Sequence, residues 1–281
     1  MITETVLEMH YHRPLMDLFR STFGLGSTGD INFYKYSPQR ECFVGFDQAY
    51  VKSQLSQEEF FKMLRDSAAT SGYRLKDKFI GYFLQFKVVK ELHVRRKYTP
   101  TGIVGKPHYR VKLDTTKNIN TGLSQHELLH NLSQNAGAMV YYACPMLFDR
   151  SAIYDIDVDL DALRLADLTF CPSAYLDNDN HHIYYNDPSA VPVWCSEPVT
   201  GKAIFPLELS VLLSATIGQL EAAHSAANLL KLLTGIEAVG LNPSSEGMKG
   251  MTVPSILPLV GESLTIIRVG PGAEEAKNRE V

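Results

Sequence analysis

The sequence predicts a mixed α/β (α+β) protein, and three observations predict it. Apolar residues at helical spacing open the chain, short runs rich in aromatic and β-branched residues follow, and two later segments carry helix-capping patterns. With 45% of its residues apolar and 21% charged, the chain has the composition of a globular protein that can bury a core. Its 281 residues admit one elaborated domain or more. We read residues 1–150 as the core and residues 151–281 as a mostly helical, mixed extension packed on it.

In chain order, Ile2 to Phe23 reads as a helix through Leu7, Tyr11, Leu15, Leu18 and Phe19, with Pro14 expected to kink or restart it. Asn32 to Tyr36 and Glu41 to Asp47 are strands joined by the turn Ser37-Pro38-Gln39-Arg40, which makes a hairpin. Ser56 and Glu59 form a capping box for a helix to about Ala69, with Phe60, Phe61 and Leu64 as its apolar stripe. A strand from Phe79 to Val89 is apolar on both faces. Tyr109 to Leu113 is a further short strand. Ser124 and Glu127 cap a helix with Leu128, Leu129 and Leu132 on its buried face, and Ala138 to Pro145 is an apolar strand.

In the second half, Asp159 or Asp161 is expected to cap a helix from Leu160 to Leu168. Ile183 to Tyr185, Trp194 with Cys195, Ile256 to Leu259 and Leu264 to Val269 read as strands. His181 and His182 read as surface residues of a polar turn. Pro206 to Leu233 reads as one long helix with a broad apolar face, suited to a core or to a protein partner or second copy of the chain. Asp155 to Asp159 is no calcium loop, because Leu160 and Ala166 stand where a glycine and a glutamate are required. Gly24, Gly26 and Gly29 follow a helix rather than a strand, so the dinucleotide-binding context fails.

Cys42, Cys144, Cys171 and Cys195 are widely spaced and never in CxxC spacing. That argues against a zinc knuckle or disulfide framework and suits a reducing, cytoplasmic setting. The start of the chain, with Glu4 and Glu8, does not read as a signal peptide. The most apolar stretch, Ala203 to Gly218, is interrupted by Glu208 and too short to span a membrane, so no membrane partner is expected. Net charge is −4, but Lys87 to Lys117 carries nine Lys or Arg against Glu91 and Asp114. A local basic surface can bind phosphates in an acidic chain.

The chemistry-bearing residues are Asp47, which ends the second strand, and Gln85 with Lys87, which interrupt the apolar run from Gly81 to Val89. Two apart on a strand, Gln85 and Lys87 share a face. A carboxylate and an amide oxygen can hold a hard cation, and an ammonium beside them can orient a water or steady a phosphate. The order helix, strand, strand with Asp47, strand with Gln85-Phe86-Lys87, capped helix with Gln125, strand resembles the αβββαβ core of the PD-(D/E)xK, restriction-endonuclease-like nucleases. It is closest to the Mrr-type variant, where Gln replaces the last acidic residue. Tyr141 to Pro145 resembles the final core strand. Phe46 stands where the family has proline, and a helix is inserted between Asp47 and Gln85.

The resemblance covers about the first half of the chain and implies metal-dependent hydrolysis of phosphodiester bonds, with DNA as the expected substrate. A restriction, antiviral-defence or DNA-processing role is what it implies further. Asp47, Gln85 and the backbone carbonyl of Phe86 would hold Mg²⁺ or Mn²⁺, completed by Glu8 or, ranked second, Glu4. Lys87 would orient the attacking water, and Gln125 matches a polar residue that many members carry. Lys90, Arg95, Arg96, Lys97, Lys106 and Arg110 would bind the nucleic acid. The alternative is a non-catalytic module that keeps the fold and binds nucleic acid or protein. A thiol hydrolase using Cys144 or Cys195 is a third class.

Overall fold

The computed structural model describes residues 2–23, 31–37, 42–46, 54–69, 77–96, 99–104, 106–117, 122–135, 138–149, 151–154, 157–173, 181–195, 198–240 and 264–270. The protein is mixed α/β, with helices and two largely antiparallel sheets. It divides into two compact units, each assembled from separate stretches of chain. The first is 1–15, 84–206 and 245–248, and the second is 16–83, 207–244 and 249–281. The boundary expected near residue 150 falls inside the first unit.

The first unit contains the start of helix α1 (Glu4–Thr22), the end of strand β4 (Lys78–Phe86) and helix α3 (Gln125–Asn135). Strand β7 (Met139–Pro145) pairs with β8 (Leu163–Asp167), and β12 (Ala203–Ile204) flanks β8. A second sheet runs β11 (Val199–Thr200), β10 (Val193–Cys195), β9 (His182–Tyr185), β6 (His108–Lys112), β5 (Val89–Leu92). The helix expected over Leu160 to Leu168 is instead a single 3-10 turn, Leu160–Ala162, followed by β8. Asp159 does cap that turn, accepting from the Asp161 N–H at 2.9 Å. Ladder pairing of Leu163 to Asp167 with β7 prevails over local helix propensity. His181 and His182 are buried rather than on the surface.

The second unit holds β1 (Ile31–Ser37) and β2 (Cys42–Phe46), paired antiparallel as expected from the sequence. It also holds β3 (Gln54–Ser56) and α2 (Gln57–Ala69), whose backbone starts after Ser56. Strand β13 (Leu264–Val269) inserts between β1 and residues 78–83 of β4, antiparallel to both. The last strand of the expected extension is therefore a central strand of this unit. The long helix expected over 206–233 is two helices, α4 (Pro206–Gln219) and α5 (Ala222–Gly240). Near the end of α4 the Ile217 carbonyl accepts from Lys78 Nζ at 3.2 Å, and in α5 Ser225 Oγ accepts from the Phe79 N–H at 3.0 Å, so both helices contact β4. A Cβ at Gly81 would stand 3.1 Å from the Leu229 side chain, so the glycine permits close approach of α5. Ile256 to Leu259 lies outside the described residues. Among the described residues no helix is long and apolar enough to cross a membrane.

A carboxylate, an ammonium and two amides in the first unit

The expected strand from Phe79 to Val89 breaks at Phe86, and its continuation, β5, joins the other sheet. Lys87 sits at the break, where its N–H still donates to the Ala143 carbonyl at 2.9 Å. This turn leaves the Lys87 side chain almost wholly buried, at 3% exposure.

Two helix N-termini meet Gln85, and local sequence explains both. Thr3 opens α1, its Oγ1 accepting from the Val6 N–H at 3.3 Å, which makes Glu4 the first helical residue. Ser124 Oγ likewise accepts from the Glu127 N–H at 3.0 Å, which makes Gln125 the first residue of α3. Gln125 Nε2 donates to Gln85 Oε1 at 2.9 Å, and Gln85 Nε2 faces Glu4 Oε2 and the Phe86 carbonyl, each at 3.4 Å. Lys87 Nζ donates to both Glu4 oxygens, at 3.1 and 3.3 Å. The Glu4 side chain is 43% exposed, so the buried ammonium is held by a carboxylate that solvent can reach. The positive ends of two helices favour negative charge here, first on Glu4 and then on any bound anion.

A second set of side chains also meets Lys87. Its ammonium stands 5.9 Å from the Tyr142 ring centre, within cation–π range. Tyr142 Oη is 2.6 Å from His126 Nδ1, and Cys171 Sγ is 3.7 Å from His126 Nε2. His130 Nε2 donates to the Cys171 carbonyl at 3.1 Å. Burial first, then the fields of His130, His181 and Lys87, lower the His126 pKa to about 3. Burial likewise pushes the Tyr142 hydroxyl well above its ordinary value and raises the Cys171 thiol.

Of the residues singled out from sequence, the structure brings Gln85, Lys87 and Gln125 together and makes Glu4 the carboxylate at Lys87. Glu8 lies one turn along α1, half-buried, and Asp47 and Lys97 lie outside the described residues. Lys90 and Arg110 face each other across β5 and β6, while Arg95, Arg96 and Lys106 are exposed in the connection between those strands. The Arg95 guanidinium donates to the carbonyls of Thr99 and Pro100 at 3.4 and 3.0 Å, so it shapes its own loop. Sequence reasoning missed Tyr142 and His126. The signal for Glu4 was present, because a threonine before an acidic residue marks a helix start.

The Glu4 carboxylate and the Phe86 carbonyl are hard oxygen donors, but Gln85 turns Nε2 to both and Oε1 to Gln125, so its oxygen would join a cation only with the amide turned over. The donor set suits Mg²⁺ in kind, since Mg²⁺ keeps several waters and needs only one or two carboxylates. Among the described residues no group of three His, Cys, Asp or Glu is arranged to hold a metal. Comparison with known proteins gives no match: no protein family fits the sequence, and no curated protein or solved structure is similar to it.

Proposed function

We propose that this protein is a nuclease that hydrolyses phosphodiester bonds of nucleic acid, with DNA as the substrate and a restriction-endonuclease-like core carrying the site. The observation that supports this most is the nearly buried Lys87 ammonium held against the half-exposed Glu4 carboxylate, with Gln85 and Gln125 beside them. An ammonium fixed this way can orient a water and offset charge that develops on a phosphate. Glu4, Gln85 and the Phe86 carbonyl are the described residues that would hold Mg²⁺ or Mn²⁺; the family resemblance adds Asp47, which lies outside the described residues. The metal would supply a Lewis acid and a more acidic bound water. Gln125 donates to Gln85 Oε1 and so sets which end of the Gln85 amide faces Glu4.

A second reading has one observation in its favour: Glu4 and Lys87 already neutralise each other, as a purely structural ion pair would. In that case the chain is a non-catalytic binding module. Cleavage of plasmid and single-stranded DNA with Mg²⁺ or Mn²⁺ separates the two. The nuclease reading expects cleavage by the wild type that is lost in Asp47→Ala and Lys87→Ala and on adding chelator. Cleavage that survives both substitutions moves the site elsewhere. No cleavage by any of them, with DNA binding intact, leaves the binding module.

A further inference from the structure

We infer that one face of the β5–β6 strand pair carries the phosphate backbone of the substrate, through Lys90, Arg110 and Lys112. The identity of the ligand rests on the nuclease reading; the surface itself rests on register, exposure and charge. Lys90 stands directly opposite Arg110, and Val89 opposite Val111. Side chains alternate along a strand, so Lys90, Arg110 and Lys112 project from the same face. Lys90 and Lys112 are exposed and Arg110 is half-buried.

Like charges directly opposite each other on neighbouring strands destabilise the pair. Nothing in the described chain offsets them: no ion pair links a carboxylate to any of the three. Glu91 points to the other face and stands 3.9 Å from His93, and Asp114 accepts from the Thr116 N–H. An edge lysine can serve to block strand addition, which would account for Lys90 alone. It does not account for Arg110 and Lys112, because β6 is paired on both sides, by β5 and β9. A row of cations held on strands and left uncompensated among the described residues is matched by an anion with repeating charge. A phosphodiester backbone is such an anion. Lys90 follows Lys87 by three residues, so the same turn of chain leads from the candidate site to this face.

The test is fluorescence anisotropy of the full chain with labelled single-stranded and duplex DNA, in chelator so that no cleavage occurs, over a range of NaCl. The wild type is expected to bind. Each of Lys90→Ala, Arg110→Ala and Lys112→Ala should weaken binding and lower the log–log salt slope by about 0.7 for single strands or 0.9 for duplex. Lys90→Arg and Lys202→Ala, which keep the charge or lie elsewhere, should match the wild type. A folded triple variant that binds with wild-type affinity and slope overturns the inference, as does a wild type that binds neither DNA. Equal competition by polyaspartate at matched charge also overturns it, since the face would then be indifferent to phosphate. Metal-supported cleavage with unaltered binding in the triple variant sinks this surface and leaves the nuclease reading standing. Binding lost in the triple variant of a chain that never cleaves does the reverse.

Discussion

Lys87 touches two clusters that contain similar kinds of side chain in different surroundings. Glu4, Gln85 and Gln125 form a charged set open to solvent through Glu4. Tyr142, His126 and Cys171 form a chain of neutral groups sealed in the core. By residue type the second set looks the more reactive, since a cysteine beside a histidine is the pattern of a nucleophile and its base. Burial reverses that. It raises the thiol and lowers the imidazole, so proton transfer from Cys171 to His126 becomes harder on both counts. Cys144 and Cys195, considered from sequence as nucleophiles, are pushed up to about 12 and about 11 by the same desolvation. On the proposed nuclease reading the open ion pair would carry the chemistry, and the sealed set lies against the ring beneath Lys87.

The largest effect should separate the two clusters directly. Lys87→Ala is expected to lower metal-dependent cleavage by about 10²–10⁴-fold, the range for losing a positioned proton-transfer or charge-stabilising group. Cys171→Ala should leave cleavage within about 3-fold of wild type. Initial rates on plasmid DNA decide it, and a cysteine variant as weak as the lysine variant would break the distinction.

Acid should act through the sealed set. Between its ordinary value of 6.5 and about 3, the unfolded chain binds a proton at His126 that the folded chain does not. Stability is therefore complete above pH 6.5 and falls as pH drops through that window, by about 1.4 kcal/mol per pH unit. His12 and His130, also lowered by burial, act in the same direction. Urea unfolding of wild type and His126→Gln between pH 4 and 7 should show a shallower slope in the variant. Equal slopes would place the acid sensitivity elsewhere.

Glu4→Gln should cost about 1–2 kcal/mol, less than breaking a fully buried pair because the carboxylate is 43% exposed. Equilibrium denaturation reads this, and an unchanged midpoint would mean solvent already compensates Lys87. The smallest effect is expected from Gln125→Ala, about 1 kcal/mol for one amide hydrogen bond. Its thermal midpoint should move by a few degrees at most.

Local chemistry was readable where it depended on neighbours in the chain. The cap at Ser124, the start of α2 after Ser56, the pairing of β1 with β2 and the strands at 182–185 and 264–269 all follow from patterns a few residues long. Gln85 and Lys87 stood out because two polar residues interrupt an otherwise apolar strand. The elements that differ from the sequence pattern depend on distant partners. The break at Phe86 exists because Val89 to Leu92 pairs with β6, and the strand at 163–167 exists because β7 lies beside it. The two helices in place of one at 206–240 each contact β4, α4 through the Ile217 carbonyl and α5 at Phe79 and Gly81. The sequence by itself determined the capped helix starts, the apolar strands and the residue types of the candidate site. Tertiary structure alone decided that Glu4 is the carboxylate at Lys87, that β13 sits between β1 and β4, and that the cysteine and histidines are sealed away. The physical reason is that capping and strand alternation are short-range, whereas burial, ladder pairing and the field at a titratable group come from residues tens to hundreds of positions away.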